Sequence, residues 1–265
     1  MIRKGNTSRD LSLPKLLPNI LTTIGLCSGL TGIRFAIEND WQNAVLFILL
    51  AACFDLIDGL SARLLKAFSR FGAELDSLAD AISFGVAPTI ITYLWIKQET
   101  GNFVGEYIMG WYWIPFLFYS SCLALRLARF NVMHMDENKD TMNKAYFLGV
   151  PAPAGAGLIL MPIILDFVLT RFGIEEKIAS YPQYLVLWVS FVGVLMISRI
   201  PTFSFRNVRF RVSKNKAMFV LIIVVLVGAV FLKEKWICLL FLGLVYLLSL
   251  PLSYWAYQKD SSNKS

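Results

Sequence analysis

Residues 55–80 read DLIDGLSARLLKAFSRFGAELDSLAD, a run that places four aspartates within two otherwise apolar stretches of the chain. Asp55 and Asp58 share one face of a helix, because residues three apart are neighbours on its surface. Asp76 and Asp80, four residues apart, share a face in the same way. Carboxylates deep in a membrane cost about 2.5 to 3.5 kcal/mol each, so four unpaired ones would cost on the order of 10 kcal/mol. We therefore expect the two acidic faces to meet and to bind cations.

The remaining sequence has the composition of a membrane protein. Of the 265 residues, 57% are hydrophobic and 16% are charged, whereas about 25% are charged in an average soluble domain. The apolar residues form blocks of the length that crosses a hydrocarbon core about 30 Å thick as a helix. We predict an all-α integral membrane protein, a polytopic helical bundle with eight spans at residues 20–37, 42–66, 74–97, 111–134, 150–170, 184–200, 217–232 and 237–255.

The basic residues indicate how these helices are oriented, because Lys and Arg collect in loops that remain in the cytoplasm. With the N-terminus inside, 19 of the 25 basic residues fall in cytoplasmic segments. We expect both termini and the acidic pocket to face the cytoplasm, in a bacterial or archaeal cytoplasmic membrane. The net charge of +7 follows from this distribution and suits an anionic lipid surface, so we do not expect a nucleic-acid partner.

The two acidic helices are joined by a short turn over residues 66–73, which makes them antiparallel neighbours. Carboxylate oxygens suit hard divalent cations such as Mg²⁺ or Mn²⁺, and two such ions could neutralise four carboxylates. Gly59 and Gly72 remove side chains where a phosphate has to approach the backbone, and Ala62 keeps the same face small. Arg63 offers a planar donor fork for a phosphate oxygen. Together these features predict a metal-dependent pyrophosphate site at the membrane surface.

These residues and their spacing resemble the signature of the CDP-alcohol phosphotransferase family, Asp-x2-Asp-Gly-x2-Ala-Arg-x8-Gly-x3-Asp-x3-Asp, at all eight fixed positions. The resemblance implies a six-span membrane core, here residues 16–200, that is usually a homodimer. It implies that the four aspartates surround two divalent metal ions and that Asp80 also acts as general base. It further implies that the CDP end of the donor is bound by Asn19, Thr22, Asp58, Gly59, Ala62, Arg63 and Gly72.

Some of these residues and segments have a second interpretation. For Asn19, a helix N-cap is the alternative to donor binding. Gly25 and Gly29 form a GxxxG pattern, which is typical of helix packing. Beyond the core we expect a juxtamembrane segment, a basic cytoplasmic loop, two additional membrane helices and a polar tail, at residues 1–15, 201–216, 217–255 and 256–265 respectively. We interpret the basic loop as a contact to anionic lipid, with donor recognition as the alternative.

Stretches around the signature resemble the serine-using branch of the family, and they lie at residues 18–22, 76–88, 126–131, 147–154 and 199–205. This resemblance implies that CDP-diacylglycerol is the donor, that L-serine is the acceptor, and that the products are phosphatidylserine and CMP. Within the family, the acceptor could instead be glycerol 3-phosphate, an inositol phosphate or choline. A phosphorylated acceptor should need a denser cluster of basic residues, and choline should need an aromatic box.

Three polar residues near the cytoplasmic end of the fourth span are candidates for binding the acceptor. A zwitterion such as serine needs a cation for its carboxylate, and Arg126 and Arg129 lie one helical turn apart, on roughly one face. Asn131 follows just beyond them. We predict that these residues bind serine. The alternative is that the arginines only anchor the helix at the cytoplasmic surface.

Other classes of membrane protein also place acids in their helices. An ion-coupled transporter uses them as a relay, but it is expected to have duplicated halves, and this sequence has one acidic cluster without a second copy. A structural aspartate–arginine network is a further alternative. A non-catalytic scaffold has no reason to carry four acids at this spacing. We therefore favour an enzyme.

Overall fold

The computed structural model describes residues 13–101, 105–135, 146–174, 177–198, 201–203 and 214–262. Most of these residues lie in α-helices, which are α1 (Leu13–Ile37), α2 (Trp41–Leu64), α3 (Arg70–Asp80), α4 (Ala87–Thr100), α5 (Glu106–Met135), α6 (Ala152–Arg171), α7 (Pro182–Ile197), α8 (Lys214–Lys233) and α9 (Lys235–Ser262). The other elements are a π-helix (Ala81–Val86), a short 3₁₀ turn (Ile178–Ser180), and the strands β1 (Tyr146–Leu148) and β2 (Pro201–Phe203).

The predicted spans match the helices one to one, except for the third. That span comprises α3, the π-helix and α4, which run on as one helix over Arg70–Thr100. Within the described residues, the helices long and apolar enough to cross a membrane are Leu16–Ile37, Trp41–Leu64, Arg70–Thr100, Ala152–Arg171 and Lys235–Trp255. A shorter apolar helix is Pro182–Ile197. The prediction of an all-α polytopic membrane protein is confirmed. The turn between the acidic helices is shorter than predicted, with residues 65–69 in place of 66–73.

Glycines bring α1 close to its neighbours. A Cβ atom added at Gly25 would lie 3.3 Å from Phe54 Cβ on α2. One added at Gly29 would lie 2.6 Å from Ser83 Oγ and 2.9 Å from Ser83 Cα, so only a hydrogen fits between α1 and the π-helix there. The interpretation of the GxxxG pattern as a packing surface is therefore confirmed.

The buried core lies mainly among α2, α4, α5, α6 and α7. Tyr119 on α5 is fully buried, and its hydroxyl donates to the Phe84 carbonyl at 3.0 Å. Trp188 on α7 donates from Nε1 to the Leu158 carbonyl on α6 at 2.8 Å. Large apolar side chains elsewhere stay exposed, as expected for a surface that contacts lipid.

Two short strands join segments that are far apart in the sequence. β1 and β2 pair antiparallel, with Tyr146 opposite Phe203 and Leu148 opposite Pro201. The sequence predicts a loop from residue 201, but the first three residues of that segment form β2 because β1 supplies hydrogen-bonding partners. α9 packs against β2 and α6 and continues to Ser262, beyond its predicted end at 255. Residues 204–213 of the predicted basic loop and residues 1–12 of the predicted N-terminal segment lie outside the described residues. The last residues of these two segments, 214–216 and 13–15, belong to α8 and α1.

Candidate active site

The turn between α2 and α3 brings the two acidic helices together. α2 ends at Leu64, and α3 begins after Ser69, whose Oγ accepts a hydrogen bond from the Gly72 amide at 2.9 Å. This cap satisfies a backbone donor that the first turn of α3 would otherwise leave free. α3 packs mainly against α1 and the π-helix, and it faces α2 across the cleft that the aspartates line.

Three of the four predicted metal ligands form one cluster. Carboxylate oxygens of Asp55, Asp76 and Asp80 all lie within 4.8 Å of one another, and the three side chains are partly buried. Three like charges at this separation repel one another unless a cation lies among them. Oxygen ligands in this number suit a hard divalent cation, so the residues present fit a site for Mg²⁺ or Mn²⁺.

The fourth acid, Asp58, lies in the same cleft but has its own partner. Thr22 Oγ1 on α1 lies 2.5 Å from Asp58 Oδ2 and 3.0 Å from the Pro18 carbonyl. Asp58 is only 4% exposed, so this hydroxyl is a main source of stabilisation for its carboxylate. Thr22, predicted to bind the nucleotide, therefore orients an acid.

Side chains from α1, α2, α3 and the π-helix line this acidic cleft, which contains the four aspartates, Thr22 and Ser83. The Ser83 hydroxyl is buried and has no hydrogen-bond partner within the part of the chain that is described. Many other serines and threonines of the spans donate to a carbonyl three or four residues earlier, as Ser61 does to Asp58 and Thr89 to Gly85. Ser83 lies in the π-helix, where the wider turn changes the position of that carbonyl. Sequence reasoning missed this residue because nothing in the apolar run around it indicates a π-helix.

The glycines of the signature have different surroundings. A Cβ at Gly59 would meet nothing within 4 Å, so that space is open to a ligand. A Cβ at Gly72 would lie 2.9 Å from Asn19 Oδ1 and 3.0 Å from Ser69 Oγ, so side chains of the protein already fill that space.

Asn19 and the end of α2 are the remaining parts of the predicted donor site. Asn19 lies inside α1, which begins at Leu13, so the alternative of an N-cap is wrong. Its side chain reaches the start of α3 beside Gly72. Ala62 and Arg63 lie in the last turn of α2, and the Arg63 side chain is exposed and makes no ion pair with the described residues.

The predicted acceptor residues on α5 divide into two groups. Arg126 is partly buried within electrostatic range of Asp80, and its Nε has no hydrogen-bond partner among the described residues. Asn131 Nδ2 donates to Ser77 Oγ at 3.0 Å, next to Asp76. Arg129 instead extends towards the end of α7, where its Nη1 lies 3.4 Å from the Ile197 carbonyl. The structure thus brings Arg126 and Asn131 towards the aspartates and binds Arg129 to the protein itself.

Comparison with known proteins adds a family and several relatives. The family model described as CDP-alcohol phosphatidyltransferase matches residues 15–197. A Mycobacterium leprae protein named CDP-diacylglycerol–serine O-phosphatidyltransferase is 38% identical over 201 residues, which are 76% of this chain and 62% of that protein. A Helicobacter pylori (strain J99) protein of the same name is 30% identical over 229 residues, covering 86% of this chain and 87% of that protein. This chain therefore spans less than two thirds of the mycobacterial relative and most of the Helicobacter one.

Proposed function

The chain belongs to the CDP-alcohol phosphatidyltransferase family, and we propose that it transfers the phosphatidyl group of CDP-diacylglycerol to the hydroxyl of L-serine, giving phosphatidylserine and CMP. The observation that carries this proposal is the cluster of Asp55, Asp76 and Asp80, whose carboxylates lie within 4.8 Å of one another. The names of the relatives support serine as the acceptor.

The aspartate cluster supports a divalent-metal site. Asp55, Asp76 and Asp80 would hold the metal, and Asp58 lines the same cleft and could complete a two-ion site. A bound Mg²⁺ or Mn²⁺ supplies positive charge that stabilises the pyrophosphate and the departing CMP. The use of two ions and the choice between the metals are part of the proposal.

Asp80 is the residue we assign as general base. It would accept the proton of the serine hydroxyl as that oxygen bonds to the phosphorus that carries diacylglycerol. The bond from this phosphorus to the oxygen of CMP breaks, and CMP leaves with that electron pair. Among the four aspartates, Asp80 is the one within electrostatic range of Arg126, which supports a position between the proposed donor and acceptor ends of the site.

The donor is proposed to bind along α1, the end of α2 and the start of α3. The open space at Gly59 leaves room for a phosphate beside Asp58. Arg63 is exposed and makes no ion pair with the described residues, so its guanidinium is available to a phosphate oxygen. From α1, Thr22 donates a hydrogen bond to Asp58, and the Asn19 side chain lies beside Gly72.

The acceptor carboxylate is proposed to bind at Arg126. Its Nε is buried without a protein partner among the described residues, so an anionic ligand would satisfy it. Asn131 borders the same region through Ser77. Arg129 is also predicted to bind serine. We propose only a supporting role for it in acceptor binding, because its guanidinium already contacts the Ile197 carbonyl.

Sidedness and assembly remain proposals that rest on the sequence. The distribution of basic residues, 19 of 25 on one side, supports cytoplasmic termini and a cleft that opens to the cytoplasm. We further propose a homodimer, as the family resemblance implies.

An acceptor panel tests the proposed reaction. Purified protein is incubated with CDP-diacylglycerol, Mn²⁺ or Mg²⁺, and one of serine, glycerol 3-phosphate, inositol phosphate or choline, and CMP release is measured. We expect release with serine that stops when the metal is chelated, and a lipid product that carries the label of radioactive serine. Release with serine no higher than in a blank without acceptor contradicts the proposed function.

A further inference from the structure

Two buried polar atoms on different helices lack hydrogen-bond partners among the described residues, and their side chains lie within electrostatic range of each other. Arg126 Nε on α5 and the Tyr246 hydroxyl on α9 are both buried with no hydrogen bond to any described residue. Arg126 lies within electrostatic range of Asp80 and of Tyr246. Leaving buried donors unsatisfied costs free energy, so this pair indicates a polar group that the described residues do not supply.

The packing of α9 places Tyr246 at this position. At the start of α9, the Trp236 ring packs against Phe167 of α6 with the centroids 4.7 Å apart and the ring planes tilted by 55°. Further along, a Cβ at Gly243 would be 3.4 Å from the Met161 sulfur, so α9 lies close against α6. Leu250, one turn beyond Tyr246, is 7% exposed. Tyr246 is therefore on the inward face of α9. Several contacts along the helix, and not a single one, fix this orientation.

The chemistry of the two groups identifies the kind of ligand. A guanidinium N–H and a phenol O–H are both donors, and two converging donors suit a carboxylate or a phosphate. Arg126 is also within electrostatic range of Asp80, the proposed base. A molecule bound among these groups would present a hydroxyl to the aspartate and an anionic group to the arginine and tyrosine, which describes a hydroxy amino acid.

We propose that Tyr246 binds the acceptor, its hydroxyl acting with the Arg126 guanidinium to hold the carboxylate of serine. This inference rests on the proposed function and extends it to α9, which lies beyond residues 15–197 matched by the family model. One of the two additional C-terminal helices thereby contributes to acceptor selection. The donor phosphate is the other ligand with suitable chemistry, and the two are distinguished by which Michaelis constant changes.

The test compares Tyr246→Phe with Tyr184→Phe, which removes a hydroxyl from a side chain that is 65% exposed on α7. We expect Tyr246→Phe to raise KM for serine about tenfold, as for the loss of about 1.4 kcal/mol of binding. We expect kcat and KM for CDP-diacylglycerol to stay within about twofold of wild type, and Tyr184→Phe to match wild type. Slow CMP release with ethanolamine, a serine analogue without the carboxylate, should be unaffected by Tyr246→Phe.

Each other result counts against the inference. An unchanged KM for serine overturns it, and a raised KM for CDP-diacylglycerol assigns Tyr246 to the donor phosphate instead. Equal losses with serine and ethanolamine indicate a structural role only. If Tyr246→Phe does not purify as a folded protein, Tyr246→His, which retains a donor, is compared in the same assays, and a loss shared by ethanolamine again overturns the inference. Absence of serine-dependent CMP release by the wild-type protein is a different outcome, since it removes the proposed function itself.

Discussion

Asp80 ends α3 at the residue where the chain enters the π-helix, and its carboxylate lies within 4.8 Å of those of Asp55 and Asp76. Replacement of Asp80 by Asn keeps the shape of the side chain and removes its ability to accept a proton. We expect Asp80→Asn to reduce CMP release by about 100-fold or more, as for the loss of a general base. Binding of CDP-diacylglycerol should remain measurable. Asp80→Asn and Asp55→Asn should both weaken the binding of Mn²⁺, because both side chains belong to the cluster that would hold the metal.

A matched control is available in α6, where Asp166 is also an acid within a membrane span. Asp166 Oδ1 accepts a hydrogen bond from the Ile178 amide at 3.3 Å, away from the cleft, and an Asn side chain can accept the same bond. Asp166→Asn should therefore retain CMP release. Turnover by Asp80→Asn equal to that of Asp166→Asn would rule out the role of Asp80 as base.

Thr22 tests the importance of the fourth acid. Thr22→Val keeps the volume of the side chain but removes the hydroxyl that donates to Asp58, a carboxylate that is 4% exposed. We expect a loss of stability of about 1 to 3 kcal/mol, together with lower CMP release, because a buried acceptor loses its donor. Thermal unfolding in detergent and CMP release measure the two effects.

Thr23→Val is the control for this change, since Thr23 is exposed and donates only to the Asn19 carbonyl of its own helix. It should leave both measurements near those of wild type. A Thr22→Val protein as stable and active as Thr23→Val would mean that Asp58 does not need the hydroxyl.

For individual residues, the sequence predicted which aspartates meet better than it predicted which groups form hydrogen bonds to them. Their spacing predicted that Asp55, Asp76 and Asp80 would meet, because helix geometry and a short turn suffice for that inference. The bond from Thr22 to Asp58 joins residues 36 apart, and it depends on how α1 packs, which local patterns do not indicate. The N-cap alternative for Asn19 was wrong because α1 begins six residues earlier, at Leu13.

Among the elements, α1 and the π-helix make the closest approach described above. A methyl group at Gly29 would meet Ser83 Oγ at 2.6 Å and Ser83 Cα at 2.9 Å. We expect Gly29→Ala to destabilise the protein by about 1 to 3 kcal/mol, because the helices have to move apart. Ser83→Ala should not rescue it, since the Cα atom of residue 83 is almost as close as the hydroxyl.

Gly157 on α6 provides the comparison, because a Cβ there would meet nothing within 4 Å. Gly157→Ala should leave the thermal unfolding temperature unchanged or raise it slightly, since Ala favours a helix by about 1 kcal/mol over Gly. Equal unfolding temperatures for Gly29→Ala and Gly157→Ala would contradict the close packing of α1 on the π-helix.

The elements could be predicted in number and position but not in every detail. Apolar blocks of membrane length indicated each span, including the continuous one over Arg70–Thr100. The π-helix was not predictable, because Ala81–Val86 is apolar and looks like any other turn of a membrane helix. The pairing of β1 with β2 was missed because each strand has only three residues, and their partners lie more than fifty residues apart in sequence.

In the whole molecule, the acidic cleft lies next to apolar side chains that reach outward. Leu64, Phe68 and Phe71, around the turn between α2 and α3, are 83%, 75% and 70% exposed. Exposed apolar residues at this density indicate contact with a membrane. The donor, whose acyl chains stay in lipid, would therefore reach the cleft from the side.

This arrangement predicts how the rate depends on lipid composition. When the bulk concentration of CDP-diacylglycerol is fixed and inert phosphatidylcholine is added, we expect CMP release to fall with the mole fraction of donor. Phe68→Ser should raise the mole fraction of donor needed for half-maximal rate, because the turn then binds lipid less well. Assays in vesicles of graded composition provide the measurement.

Phe172→Ser is the paired control. Phe172 is 66% exposed and directly follows the C-terminal end of α6, whereas β1 precedes the N-terminal end of that helix. Its half-maximal mole fraction should equal that of wild type. A rate of CMP release that stays constant when the donor is diluted in the bilayer would contradict entry of the donor from the membrane.

The position of the cleft beside exposed apolar residues also has a consequence for the products of the proposed reaction. Phosphatidylserine remains in the leaflet and spreads in two dimensions, whereas CMP departs into three-dimensional solution. The two products thus separate by phase as soon as they form, and reversal requires a nucleotide from the aqueous pool to meet a lipid that has already diffused away. Removal of CMP by soluble enzymes is then enough to drive net synthesis, without any export of the lipid.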